Sequence, residues 1–179
     1  LYITQIFSDM RSEISEFNEK DAFLIEAILN IDDDKISHEF KLLSDELKAK
    51  VFLAIIFYDE KREFNRKEAD ELNDIAWDKM EKGDYEGALT DVKKSIEIMS
   101  LGSNNDTIAL IYYHLKNYGD AKKFTDISID LDALKSDHFV TRAKILFKLN
   151  QVDLAKEDLI KAIQLNAENM EAITLLKSI

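Results

Sequence analysis

Apolar side chains along this chain recur at intervals of three and four residues, a spacing that suits amphipathic helices and not strands. In the C-terminal two thirds the pattern breaks at a fixed step. The breaks read Gly83-Asp84-Tyr85-Glu86-Gly87-Ala88, then Asn117-Tyr118-Gly119-Asp120-Ala121, then Gln151-Val152-Asp153-Leu154-Ala155. From Ala88 to Ala121 is 33 residues and from Ala121 to Ala155 is 34. That period predicts stacked pairs of helices, each pair too small to bury its own apolar face.

Each repeat places small residues where two helices must cross closely: Ala76, Ala88 and Ser95, then Ala109, Ala121 and Ser128, then Ala143, Ala155 and Ala162. Small side chains let helix axes approach to about 8–10 Å. Larger apolar residues flank them and are expected to form the spine between layers: Ile75, Val92, Ile96 and Ile98; Ile108, Tyr112, Ile129 and Leu131; Leu146, Leu159, Ile163 and Leu165. The N-terminal third shows no clear repeat. Ile3, Ile6, Phe7, Met10, Ile14 and Phe17 share one helical face, and Phe23–Ile31 is a denser apolar block. After the acidic turn Asp32-Asp33-Asp34, the residues Ile36, Phe40, Leu43 and Leu47 continue a helical pattern to about Glu63. The predicted organisation is residues 1–66 as a helical subdomain or degenerate repeats, and residues 67–179 as three helical pairs (69–101, 102–135, 136–169) with a capping helix at 170–179.

This arrangement resembles the tetratricopeptide repeat, whose units of about 34 residues pair two helices around a small-residue seam. The resemblance covers roughly Ala69 to Asn169 and implies an all-α, right-handed solenoid. Two departures mark a divergent member. Ser100, Ala133 and Ala167 stand where a proline usually closes the second helix, and Leu72, Asn105 and Phe139 where an aromatic usually opens the first. The family lines its concave face with the first helices, so the resemblance assigns a partner-binding groove to Asn73, Trp77, Met80, Asp106, Leu110, Tyr113, Asp137, Val140, Lys144 and Phe147. Asp70 joins Asp106 and Asp137 as an acidic rim. Trp77, Met80, Leu110, Tyr113, Val140 and Phe147 would make an apolar strip of the composition that supplies interface hot spots. For Tyr113 and Phe147, packing within the core is an equal alternative.

The implied function is a non-catalytic protein-interaction module that takes a peptide or helix, apolar with basic residues. A secretion-type chaperone for an apolar export substrate is the alternative, as is a regulatory or sensor domain of a longer enzyme; self-association is compatible with either. Some members of the family clamp acidic chaperone tails with lysine, asparagine and arginine, because two carboxylates need several fixed donors. Here the matching places hold Asn73, Trp77, Thr107, Asp137 and Thr141. That mode is not expected.

Charge and composition narrow the partners further. Across 179 residues the net charge is -12, split evenly between residues 1–66 and the rest, which repels phosphate backbones and anionic lipid heads. Proline is absent and glycine occurs four times, so little interrupts helix. Cysteine is absent, excluding disulfides and thiol chemistry while leaving the compartment open, with the cytoplasm slightly favoured. Val51–Tyr58, the most apolar run, is far short of the ~20 residues that cross a bilayer, so no membrane insertion is expected. The chain starts at Leu1 without an initiator methionine and stops at Ile179 in an apolar run, and reads as a piece of something longer.

No cofactor or metal site is predicted. Asn30, Asp32 and Asp34 mimic the opening of a calcium loop, but Lys35 takes the glycine place and Lys41 the closing carboxylate place. His38, His114 and His138 lack ligand spacing and read as surface or groove residues. Asn105-Asp106-Thr107 matches a glycosylation acceptor, a pattern frequent by chance. No phosphate loop or nucleophile motif is present, and no catalytic residue is assigned.

Overall fold

A computed structural model describes residues 45–179, with the side chains of Ile56 and of residues 59–179. The calcium-like stretch and the apolar faces assigned to residues 1–44 lie outside these described residues. The chain divides into two units, Leu1–Phe64 and Asn65–Ile179. The described elements are all helices: α1 Asp45–Glu81, α2 Tyr85–Ile98, α3 Gly102–His114, α4 Tyr118–Leu131, α5 Ser136–Lys148, α6 Val152–Leu165 and α7 Met170–Lys177. No break separates Glu63 from Ala69, since α1 is one run of 37 residues. No glycine or proline interrupts it there, and Arg66–Asp70 and Lys67–Glu71 form i,i+4 ion pairs along it.

The second unit is a solenoid in which consecutive helices pack on one another, and α3 also packs on α5. All nine predicted small residues, from Ala76 to Ala162, are 0% exposed. A larger side chain at any of them would have to splay its helix pair. Around this seam lie three apolar clusters. The first joins Ala76 and Met80 to Ala88, Val92, Ile108 and Ile111; the second joins Ala109 and Ala121 to Ile145; the third gathers Phe139, Val140, Leu146, Leu159 and Ala172. Two spine expectations need correction. Ile75 is 47% exposed and Leu131, the last residue of α4, is 50% exposed. Ile111 and Ile145, each two residues past a seam alanine and 0% exposed, fill the spine instead.

The repeated break has one geometry. At Gly83, Lys116 and Asn150 φ is +81°, +61° and +57°, the left-handed region. In each turn that residue's N–H returns to the carbonyl three back, and the next N–H to the carbonyl five back: Met80 and Lys79, Tyr113 and Tyr112, Phe147 and Leu146. This double return satisfies carbonyls that the helix end would otherwise orphan. The following helix is then capped from the side chain in two of three cases, by Asp84 accepting from Gly87 N at 3.0 Å and Asn117 from Asp120 N at 3.4 Å. Within the first helical pair Ser95 donates to Ala69 O at 2.6 Å, and from the second pair it receives Asn104 Nδ2 at 2.9 Å.

Candidate functional site

The three turns fix the phase of each helix against the next, and an open groove lies on the side formed by α1, α3 and α5. It encloses about 500 Å³ and is lined by Asn73, Asp74 and Trp77 of α1, Ser103, Asp106, Thr107 and Leu110 of α3, Asp137, His138, Thr141 and Lys144 of α5, together with Lys135 and Glu171. Of the residues assigned to the groove from sequence, the structure brings together Asn73, Trp77, Asp106, Leu110, Asp137 and Lys144. All five places of the acidic-tail clamp, Asn73, Trp77, Thr107, Asp137 and Thr141, also line it.

The remaining four lie elsewhere. Met80 is 7% exposed in the first apolar cluster and Val140 3% exposed in the third. Tyr113 packs tilted against Tyr118, ring centres 5.8 Å apart, and Phe147 packs against the third cluster. The cause is helical phase. Met80, Tyr113 and Phe147 each follow a seam alanine by four residues and so share its inward stripe. Trp77, Leu110 and Lys144 follow it by one and turn outward into the groove. The acidic rim is also different from the expectation: Asp70 stands opposite Arg66 at 3.9 Å and does not line the groove. Asp106 is one turn further along its helix than Asp70 and Asp137 are along theirs, which places it in the groove floor.

Trp77 is 40% exposed, and its indole N–H donates to Glu81 Oε1 at 3.1 Å, which ties the polar edge of the ring to its own helix. Four carboxylates, Asp74, Asp106, Asp137 and Glu171, face two ammonium groups, Lys135 and Lys144. Both cations already have partners. Lys144 pairs with Glu171, and Lys135 lies 3.9 Å from Asp137. Asp137 Oδ1 also accepts from Asn169 Nδ2 at 3.1 Å. Asp106 Oδ2 accepts from Thr141 Oγ1 at 3.2 Å, while its Oδ1 stands 3.5 Å from Nδ1 of the buried His138. Sequence reasoning missed Asp74, Ser103, Lys135 and Glu171. Asp74 was accessible as the equivalent of Thr107 and Thr141; Glu171 reaches the groove only because α7 folds back beside α5.

Behind the groove, α5 is fastened by Arg142. Its guanidinium donates from Nε and Nη2 to the two oxygens of Asp158 at 2.8 and 2.7 Å, and from Nη1 to Asp126 Oδ1 at 3.0 Å. Its hydrogen bonding to Asp158 is the main reason that this arginine holds its proton even more firmly than usual. Among the described residues no cluster of His, Cys, Asp or Glu has the makeup of a metal site, and no helix is long and apolar enough to cross a membrane.

The family profile of the tetratricopeptide repeat matches residues 139–169. No curated protein matches the chain in sequence. Among solved structures, the first tetratricopeptide domain of human RPAP3 is similar with a TM-score of 0.61 at 20% identity, over 63% of this chain and 90% of that one. The second domain of human RPAP3, in complex with the HSP70 peptide SGPTIEEVD, is similar with a TM-score of 0.59 at 23% identity, over 64% and 96%. The Yersinia enterocolitica type III secretion translocator chaperone SycD is similar with a TM-score of 0.58 at 15% identity, over 63% and 91%. With its seam, its turns and its third helical pair all in agreement, the chain matches the tetratricopeptide-repeat model over residues 139–169 and shares the all-helical fold of tetratricopeptide-repeat domains.

Proposed function

We propose that residues 65–179 form a non-catalytic module that holds a segment of another protein in the groove, and that this segment is basic with apolar anchors. The carrying observation is the groove itself: a partly exposed Trp77 beside Leu110, ringed by carboxylates whose lysine neighbours among the described lining residues, Lys135 and Lys144, are already paired. Exposed aromatic anchors in a concave site are the usual source of binding energy. The fold agrees, since RPAP3 domains of the same fold are seen with peptides bound. The charge does not extend that likeness to acidic tails. Asp137 and Thr141 stand where two fixed cations would be needed, and like charge opposes the ligand.

Peptides selected by display against the folded chain test this directly. Trp77→Ala is expected to weaken the selected peptides by roughly 30-fold, about 2 kcal/mol, as loss of a central aromatic anchor does. Equal affinity for Trp77→Ala and the parent would place binding elsewhere. The similarity to SycD supports the alternative of a chaperone for an apolar export substrate at the level of fold alone; selected peptides rich in apolar residues and lacking any basic one would favour it.

A further inference from the structure

Residues 73, 106 and 140 are equivalent, each three residues ahead of a seam alanine. The third repeat fills this place with Val140, buried in the core beside Ala172 of α7. The first two repeats fill it with Asn73 and Asp106, both on the groove. Among the described residues, Asn73 Oδ1 and Asp106 Oδ1 are buried atoms without a hydrogen-bond partner, and so is Nδ1 of His138, whose side chain is 5% exposed and lines the same groove. A buried polar atom left unpaired costs free energy comparable to a lost hydrogen bond, so such atoms are rare without a reason.

Two of these groups, Asp106 and His138, are also held where they are. Thr141 donates to the other oxygen of Asp106 at 3.2 Å. The far edge of the His138 ring is backed by Gly102, where an added Cβ would lie only 3.0 Å from Nε2. The two oxygens accept and do not donate, and an imidazole carrying its proton on Nε2 offers Nδ1 as a third acceptor. A carboxylate ligand would be repelled, and a hydroxyl would bring a single proton. A primary ammonium brings three donors and no acceptor in a compact group, which matches the set. Its aliphatic stem would lie along Trp77 and Leu110, as lysine stems do on apolar surface.

We propose that Asn73, Asp106 and His138 form a receptor for one lysine ammonium carried by the bound protein segment. This rests on the groove being a protein-binding site, and the test separates the two ideas. Peptides selected by display on the full chain are resynthesised with each lysine changed to norleucine, which keeps the stem and removes the charge, and titrated by fluorescence of Trp77, the chain's single tryptophan. One lysine is expected to matter at least tenfold in the parent chain, and its effect is expected to fall below twofold in Asp106→Asn and in Asn73→Val, the second variant copying the residue of the third repeat. The exposed Asp153→Asn, on α6 away from the groove, serves as the charge control and retains the full lysine effect. Peptides that bind at Trp77 with no dependence on lysine would overturn the receptor and leave the binding module standing. A lysine effect that persists undiminished in both variants would also overturn it. Absence of any peptide binding would overturn both.

Discussion

Arg142→Ala should be the most damaging single change of a polar residue in the second unit. The guanidinium joins α5 to α6 through both oxygens of Asp158 and to α4 through Asp126, and the Asp158 side chain is only 9% exposed. Truncation leaves that carboxylate in the protein without its counter-charge, and breaking a buried pair from one side costs about 3–5 kcal/mol. Partial exposure of Arg142 and the more open position of Asp126 lower the figure. Loss of the guanidinium over the Phe139 ring, 5.7 Å from its centre, adds a little back. The expected loss is about 3 kcal/mol, read by urea unfolding of the full chain followed by far-UV circular dichroism, with an unchanged dependence on denaturant. The double change Arg142→Met with Asp158→Leu removes both charges and should return to within about 1 kcal/mol of the parent. A single-variant loss below about 1 kcal/mol, or a double variant worse than the single, would refute the assignment of that energy to an uncompensated carboxylate.

The turns make a further prediction, since Lys116 adopts φ +61° where glycine has no steric penalty. Lys116→Gly should stabilise the chain by up to about 1 kcal/mol, while Gly83→Ala should cost about that much; both are read by thermal unfolding. Gly102→Ala should cost about 1–3 kcal/mol by crowding His138, Asp132 and the Ser128 carbonyl, and should weaken lysine-dependent peptide binding along with stability. Lys79 holds its proton above the usual lysine value, chiefly through its hydrogen bond with Asp91. A raised folded-state value stabilises fully below the ordinary lysine range and is lost as pH climbs through the raised value, so stability should fall on the alkaline side, and less so in Lys79→Met.

Much of the fold was legible because one physical limit governs it. Two helices can approach closely only over small side chains, so Ala76, Ala109 and Ala143 and their six counterparts announce the crossings without reference to any partner. The turns were legible as punctuation, though not their shape: Gly83 signals a left-handed residue, while Lys116 and Asn150 adopt the same conformation with side chains that merely tolerate it. The groove was harder. Trp77 and Met80 are neighbours on a helical wheel, yet one faces solvent and the other the core, and an apolar residue carries no mark of which side it serves. Lys135 and Glu171 come from outside the first helices, and His138 is buried by the absence of a side chain at Gly102, a contact made between two repeats.

The seam has a mechanical consequence. Each crossing is a single layer of small side chains, so it acts as the fulcrum for everything beyond it. A wedge of about 1 Å on a layer about 9 Å thick would rotate the following helices by about 6°, which over a helix about 20 Å long moves the groove rim by about 2 Å. One methylene at Ala109 would therefore act as a lever, re-aiming Asp106 against Asn73 while leaving both residues unchanged. In such a chain, ligand preference can drift through residues that never touch the ligand.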